Sequence, residues 1–385
     1  MSEATRIPLV EVRDLIAPGR PLPFKVLDAQ GRMLLAAGHC VQDVRQLQAL
    51  LERGACVEYA DAQAERRRRD DAAAALTPSA RRRTLFDVWE QRIGALDTLL
   101  QAVGRDTALA PALADFADAH VALVDRHVDA ALFLCIRQDD RRFALYGLTH
   151  ALHTATVALL CARQLGWPPA RIRALVGAAL TMNVSMRDLQ AQMAEQSDPP
   201  TRRQLDEIRG HPTRSAQLLR ASGVTDADWL QTVEDHHERA GEGGYPRGVG
   251  EVGEMAQLLR AADVFMAKVS PRALRAPLLP QVAARQLFQQ EQGGPIAAAL
   301  IKSLGVYPPG DFVRLKNGES AVVVARTATG NAPVVAVLAD AQGRAVHGAP
   351  RRECARPEFA ITGPLTERAG LARVHAEQIY GLLEP

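Results

Sequence analysis

Two adjacent histidines and a glutamate, His236-His237-Glu238, stand just ahead of the glycine-rich turn GGYPRG in the stretch VEDHHERAGEGGYPRG. Imidazole and carboxylate side chains are ligands for divalent metals, and a bound metal lowers the pKa of water from about 15.7 to about 7. That is the chemistry needed to attack a phosphodiester at neutral pH. Other ligand types lie elsewhere in the chain: His150, His153, His211 and Asp263. His150 and His153 share a helix face by their spacing, with Tyr146 one turn earlier. His236 and His237 would diverge by about 100° on a helix, so one can face a metal while the other meets a second metal or a phosphate. Taken alone, His153 reads as a satisfied buried histidine. The His236-His237-Glu238 cluster reads as part of a phosphoesterase-like metal pocket, because the glycines beside it allow close backbone approach to a ligand.

Helical bundles build dinuclear centres from inward His and acidic side chains on several helices, and the chain has the periodicity to supply them. Its 385 residues are 47% apolar but only 4% aromatic, which points to a Leu-, Ala- and Val-rich helical core. Residues 1–62 read as a small mixed α/β module: PLPFKVLDAQGRMLLAAG as two strands joined by the turn DAQGR, then VRQLQALLERG as a helix ended by Gly54. Residues 63–83 read as an Arg- and Ala-rich linker and 84–145 as a helical connector. LFDVWEQRIGALDTLLQAV carries Leu85, Val88, Trp89, Ile93, Leu96, Leu99 and Leu100 on one stripe. The core over 146–304 includes LYGLTHALHTATVALLCARQLG and RIRALVGAALTMNVSMRDLQAQM, each predicted as one long helix. Residues 305–385 form a β-rich extension in which Asn317-Gly318 is a hairpin turn, and DAQGR recurs at Asp340–Arg344.

A net charge of +2 says little about partners. The runs ERRRRDD (Glu65–Asp71) and RRR (Arg81–Arg83) read as solvated, and no aromatic residues are interleaved to stack on bases, which argues against nucleic acid. Cys40, Cys56, Cys135, Cys161 and Cys354 are dispersed without a CxxC pair, as reduced thiols in a cytoplasmic protein are. The N-terminus lacks the features of a signal peptide, and no uninterrupted apolar run is long enough to span a membrane.

HHERAGEGGYP resembles the signature of the HD-GYP family, bacterial proteins whose active members hydrolyse cyclic di-GMP. The resemblance extends through HALHTATVALLCARQLGW (His150), GHPTRSAQLL (His211) and AQLLRAADVFMAKVSPRALR (Asp263), over roughly residues 146–300. LGVYPPGDFVRLKNGESAVVVA resembles a segment that often follows the domain. The resemblance implies an all-helical core. It also implies a site of two or three iron or manganese ions, held by the opening His, an HD dyad, later histidines and a late Asp. Here that set is His150, His211, His236, His237 and Asp263.

The dyad itself is missing. Against the family's AALLHDIGK, this chain has AALTMNVSM, which puts Met182 for His, Asn183 for the bridging Asp and Met186 for Lys. A thioether suits iron(II) or manganese(II) poorly, an Asn carbonyl carries no charge to hold two cations together, and Met186 brings no ammonium to a substrate phosphate. Gly241 and Glu242 stand where the signature has Asp-Gly. The expectation is a mainly α protein, a degenerate HD-GYP member that holds at most one iron, manganese or zinc ion weakly. It would act without catalysis, binding cyclic di-GMP or a related dinucleotide, or a GGDEF-type or other signalling protein through Gly244, Tyr245 and Pro246. The alternative is a cyclic di-GMP phosphodiesterase with a rearranged, residual metal site. A homodimer is compatible with either.

Overall fold

The computed structural model describes residues 5–76, 84–138, 143–239, 241, 243–327, 330–365, 376–381 and 383, the side chains of residues 70–76 excepted. Cα packing gathers the residues up to Ala95, with the turn Phe143–Leu145, into one unit and those from Leu96 onward into another.

The first unit is a mixed module. Strands β1 (Arg6–Pro8), β2 (Val26–Leu27), β3 (Met33–Leu35) and β4 (Cys56–Glu58) form an antiparallel sheet in the order β1-β4-β2-β3. Helix α1 (Val44–Glu52) is capped by Asp43, which accepts from the Gln46 amide at 2.8 Å, and the chain leaves it through Gly54 at φ +66°. The Arg-rich segment expected as a linker is helical as far as Leu76, in α2 (Tyr59–Leu76). Arg66, Arg68 and Arg69 are engaged. Arg68 and Arg69 donate to Glu65 at 2.8 Å, Arg69 also reaches the Asp14 carbonyl at 3.1 Å, and Arg66 reaches that of Glu11 at 3.1 Å. Arg81–Arg83 lie outside the described residues.

Helices α3 (Leu85–Ala102), α4 (Ala110–Arg126) and α5 (Val128–Ile136) lead to the core. Leu85, Trp89, Ile93, Leu96 and Leu100 of α3 are buried, following the stripe read from the sequence. Helix α6 (Tyr146–Gln164) is apolar all round because its neighbours cover it: α7 (Pro169–Thr181), α8 (Arg187–Glu195), α11 (Glu254–Val269) and α13 (Pro295–Leu304). Together with the turn before it, α6 is long and apolar enough to cross a membrane, yet 83% of its most apolar window is buried within the protein. α9 (Arg202–Ala221) opens with a reciprocal Thr201–Gln204 capping box, and α10 (Ala227–Asp235) with Asp226 accepting from the Trp229 amide at 2.9 Å. α12 (Pro280–Gln290) completes the helical set before the sheet.

One close crossing positions the site. Gly177 of α7 lies under the Trp229 ring of α10, where an added Cβ would come within 2.5 Å of the indole. The Trp229 Nε1–H donates to Thr181 Oγ1 at 2.9 Å. These contacts set the seat of α10, and so the place of the histidines at its end.

The stretch predicted as a single helix through AALTMNVSM is broken. α7 stops at Thr181, Asn183 adopts φ −105° and ψ 13°, a 3₁₀ turn runs Val184–Met186, and α8 begins at Arg187. Apolar periodicity continues across the break, so it could not reveal it.

After the helices come β5 (Phe312–Leu315), β6 (Ser320–Ala325), β7 (Val334–Ala339), β8 (Arg351–Glu353) and β9 (Ile361–Pro364), then helix α14 (Ala376–Tyr380). The strands form an antiparallel sheet, β8-β7-β6-β5-β9, with buried side chains on both faces. Asn317-Gly318 makes the β5–β6 turn, with Gly318 at φ +89° and Leu315 N donating to Glu319 O at 2.9 Å. The two DAQGR segments fold alike: the Asp28 and Asp340 carboxylates accept from the backbone N–H of Arg32 (2.8 Å) and Arg344 (2.9 Å), and each takes the same arginine's Nε–H at 2.7 Å.

Candidate metal centre

His211 lies in the middle of α9, followed by Pro212. Proline has no N–H, so the Ile208 carbonyl, four residues back, loses its helical donor. The His211 Nδ1–H takes that carbonyl instead, at 2.6 Å. His236 caps α10, where the last carbonyls lack intrahelical partners. Its Nδ1–H donates to one of them, Val233 O, at 2.7 Å. Because a carbonyl can only accept, both imidazoles carry their proton on Nδ1 and present a bare lone pair at Nε2. Those two Nε2 atoms face each other 3.1 Å apart.

Burial and then the neighbouring His236 push His211 down to about 3. Burial is also the leading cause that lowers His236 and takes His237 well below the ordinary histidine range. The three rings are neutral near pH 7, the form that binds metal. Single ligand atoms of His211, His236 and His237 lie within 4.8 Å of one another. Two nitrogens bound to one tetrahedral zinc at about 2.0–2.1 Å stand roughly 3.3 Å apart, so the 3.1 Å gap between His211 and His236 fits a shared ion. Without a cation, two opposed lone pairs at that distance repel.

His150 and Asp263 lie outside this cluster of three and hold each other. His150 Nε2 donates to Asp263 Oδ1 at 2.6 Å, and the His150 ring stacks on Tyr146 with centroids 5.4 Å apart. Burial raises the Asp263 carboxyl. The His150 hydrogen bond, the largest opposing cause, and the neighbouring histidines outweigh it and hold the group well below the usual carboxylate range. Tyr146 in turn accepts from Arg272 Nε at 2.9 Å, with the guanidinium 4.6 Å above its ring. His153 is buried on the same helix and is not among the three clustered imidazoles.

Met182 and Asn183, which the resemblance sets against the dyad, sit at the break between α7 and α8. Met182 is fully buried, and Asn183 is buried with its Oδ1 lacking any hydrogen-bond partner. The break is pinned to α9: Ser185 Oγ donates to the His211 carbonyl at 3.0 Å, and Ser215 Oγ donates to Ser185 Oγ at 2.9 Å. Met186 is only half-buried, at the end of the 3₁₀ turn.

Glu238 is not placed as a ligand. Its buried carboxylate accepts the backbone N–H groups of Arg247 (2.7 Å), Gly248 (3.1 Å) and Val249 (3.2 Å), folding the glycine-rich loop back on itself. Arg247 also pairs with Asp235. Gly244 is required here, since a Cβ would lie 2.5 Å from the Arg239 amide nitrogen. Tyr245 N donates to His237 O at 3.3 Å, and the Tyr245 ring stacks on His237 with centroids 4.5 Å apart. Gly244, Tyr245 and Pro246 are each half-buried. Gly241 is exposed at φ +94°, and Glu242 lies outside the described residues. Sequence reasoning did not assign roles to Pro212, Ser185, Ser215 or Arg272. Pro212 had a legible signal: a proline directly after a ligand-type residue inside a helical pattern.

Residues 125–294 match the family model for the HD domain. Over 224 residues the chain is 27% identical to the cyclic di-GMP phosphodiesterase PA4108 of Pseudomonas aeruginosa, an alignment covering 57% of this chain and 52% of that protein. The chain thus spans about half the length of that relative. Among solved structures, Bd1817, a HDG"Y"P protein from Bdellovibrio bacteriovorus, shares the fold with a TM-score of 0.50 at 15% identity, over 77% of this chain and 98% of that one.

Proposed function

We propose that this chain, which belongs to the HD-GYP family, is a degenerate member that binds in cyclic di-GMP signalling without hydrolysing the nucleotide. One observation carries the reading. At the dyad position stand a fully buried thioether, Met182, and a neutral amide, Asn183, whose Oδ1 has no partner. Hydrolysis by two metals needs a carboxylate to bridge them and a clamp on both the attacking and the leaving oxygen. Three nearby carboxylates are already engaged: Asp263 by His150, Glu238 by three loop N–H groups, and Asp235 by Arg247. The three neutral imidazoles can hold one divalent ion, which would polarise a phosphate oxygen without forming a two-metal centre.

The loop supports a binding role. Gly244-Tyr245-Pro246 is half-exposed, and its fold is fastened from within by Glu238, so it presents a fixed surface at little ordering cost. In this reading the ligand is cyclic di-GMP or a related dinucleotide, and the loop meets a GGDEF-type or other signalling protein in the bacterial cytoplasm. The second reading, a residual phosphodiesterase on a rearranged site, is favoured by the His211–His236–His237 cluster and by the activity in PA4108's name.

The deciding experiment titrates cyclic di-GMP into the full chain by calorimetry and follows the same samples for linear product, with added manganese and with added iron(II). Binding with the nucleotide recovered intact is the expected result. Brisk turnover, abolished by a chelator and by His236→Ala, would establish the second reading instead.

A further inference from the structure

The Nε2 atoms of His211 and His236 oppose each other at 3.1 Å because both Nδ1–H groups are held by backbone carbonyls. Neither ring can turn its proton inward without breaking a short hydrogen bond and leaving a buried carbonyl unpaired. Both rings are fully buried, and His237 brings a third ligand atom within 4.8 Å. The arrangement is built for an electron-pair acceptor, and every ligand in it is a neutral nitrogen.

We infer that His211, His236 and His237 form a single-ion centre that selects zinc over the iron or manganese implied by the family resemblance. The inference rests on the reading of Met182 and Asn183 as an abandoned dyad. Manganese(II) is matched by carboxylate, carbonyl and water oxygen, whereas imidazole suits zinc, and affinities at a given nitrogen site rise from manganese through iron to zinc. In this chain the acidic side chains around the histidines are tied to other partners. Asp263 accepts from His150 at 2.6 Å, Glu238 accepts three loop amides, and Asp235 pairs with Arg247. Replacing the bridging Asp by Asn183 takes away the charge that would favour a hard ion or a second ion. The loss of the dyad therefore changes which metal binds as well as how many.

The second shell fits a resident ion. Metal-bound histidines commonly donate their other N–H to a carbonyl or carboxylate, which fixes the ring and raises its basicity. His211 and His236 both do so, to Ile208 O and Val233 O. His237 is held from the side by the Tyr245 ring.

The test uses the full chain, stripped with a chelator and dialysed anaerobically against equal concentrations of zinc, manganese(II) and iron(II), followed by elemental analysis. The expected outcome is close to one zinc per chain, exceeding manganese and iron by at least about tenfold. His211→Ala should weaken zinc binding by about a hundredfold, and His237→Ala by at least about tenfold. Circular dichroism checks that each variant folds, and if His211→Ala does not, His237→Ala decides. Two ions per chain, manganese or iron at parity with zinc, or a folded His237→Ala variant that keeps full zinc affinity would overturn the inference. A zinc-loaded chain that hydrolyses cyclic di-GMP would refute the non-catalytic reading while leaving zinc selection standing. An inactive chain that takes up two manganese ions would do the reverse.

Discussion

The Pro212 ring leaves the Ile208 carbonyl without a helical donor, and the His211 Nδ1–H fills that gap at 2.6 Å. A helix defect thereby becomes the support of a candidate ligand, fixing both the tautomer and the direction of its free lone pair. The same logic holds at His236, where the end of α10 supplies the carbonyl.

Pro212→Ala would return an N–H to that carbonyl and make it compete with His211. Metal affinity should fall by about tenfold, as for loss of an outer-shell partner. Thermal stability should hold or rise, because interior proline costs a helix up to about 3 kcal/mol. Zinc titration alongside thermal melting checks both halves. Unchanged affinity would show that His211 does not need the vacated carbonyl.

Glu238→Ala separates anchor from ligand. Three backbone N–H groups lose their acceptor, so stability should drop by about 1–3 kcal/mol and the 241–250 loop should exchange amide hydrogens faster. Metal content should stay where it was. A variant that unfolds no more easily but loses its metal would return Glu238 to the ligand set.

Restoring the dyad should make stability depend on metal. Met182→His with Asn183→Asp places an imidazole and a carboxylate where a buried thioether and an amide with an unpartnered Oδ1 now stand. Without metal the double variant should be less stable than the parent by about 1–3 kcal/mol, the cost of burying poorly satisfied polar groups. Added manganese should recover the loss by binding the folded state alone. Hydrolysis of cyclic di-GMP should remain slight, because parts of a catalytic unit are strongly non-additive and Met186 still offers no cation. Adding Met186→Lys should raise the rate. Brisk turnover by the parent protein would contradict this series at its first step.

Tyr245→Ala with Pro246→Ala should weaken capture of a GGDEF-type partner while far-UV circular dichroism stays unchanged, since loops tolerate substitution better than cores. The Tyr245 ring also stacks on His237, so a modest loss of zinc affinity should accompany it. Equal recovery of the partner in a pull-down would place the interaction surface elsewhere on the chain.

Much of this architecture is local, and so it was legible from residue order. The helix of Tyr146–Gln164, the Asn317-Gly318 turn and the two DAQGR turns all depend on hydrogen bonds and side-chain spacings within a few residues. The ligand-type residues, and the Met182-Asn183 pair that the resemblance sets against the dyad, were likewise readable from residue order. What only the tertiary structure decided is which of these groups meet. His150 pairs with Asp263, 113 positions away, while His211 faces His236 across two helices. Glu238, which directly follows the His236-His237 pair in sequence, turns to the loop. Arg66, Arg68 and Arg69 of α2 bond to Glu65 and to backbone carbonyls while their side chains stay open to solvent, as the run reads in sequence, and the apolar pattern around Asn183 hides a break between helices. Periodicity reports which face of a helix is buried, but convergence depends on how helices cross. Here that crossing is set by contacts such as Gly177 beneath Trp229, between residues 52 positions apart that no local pattern connects.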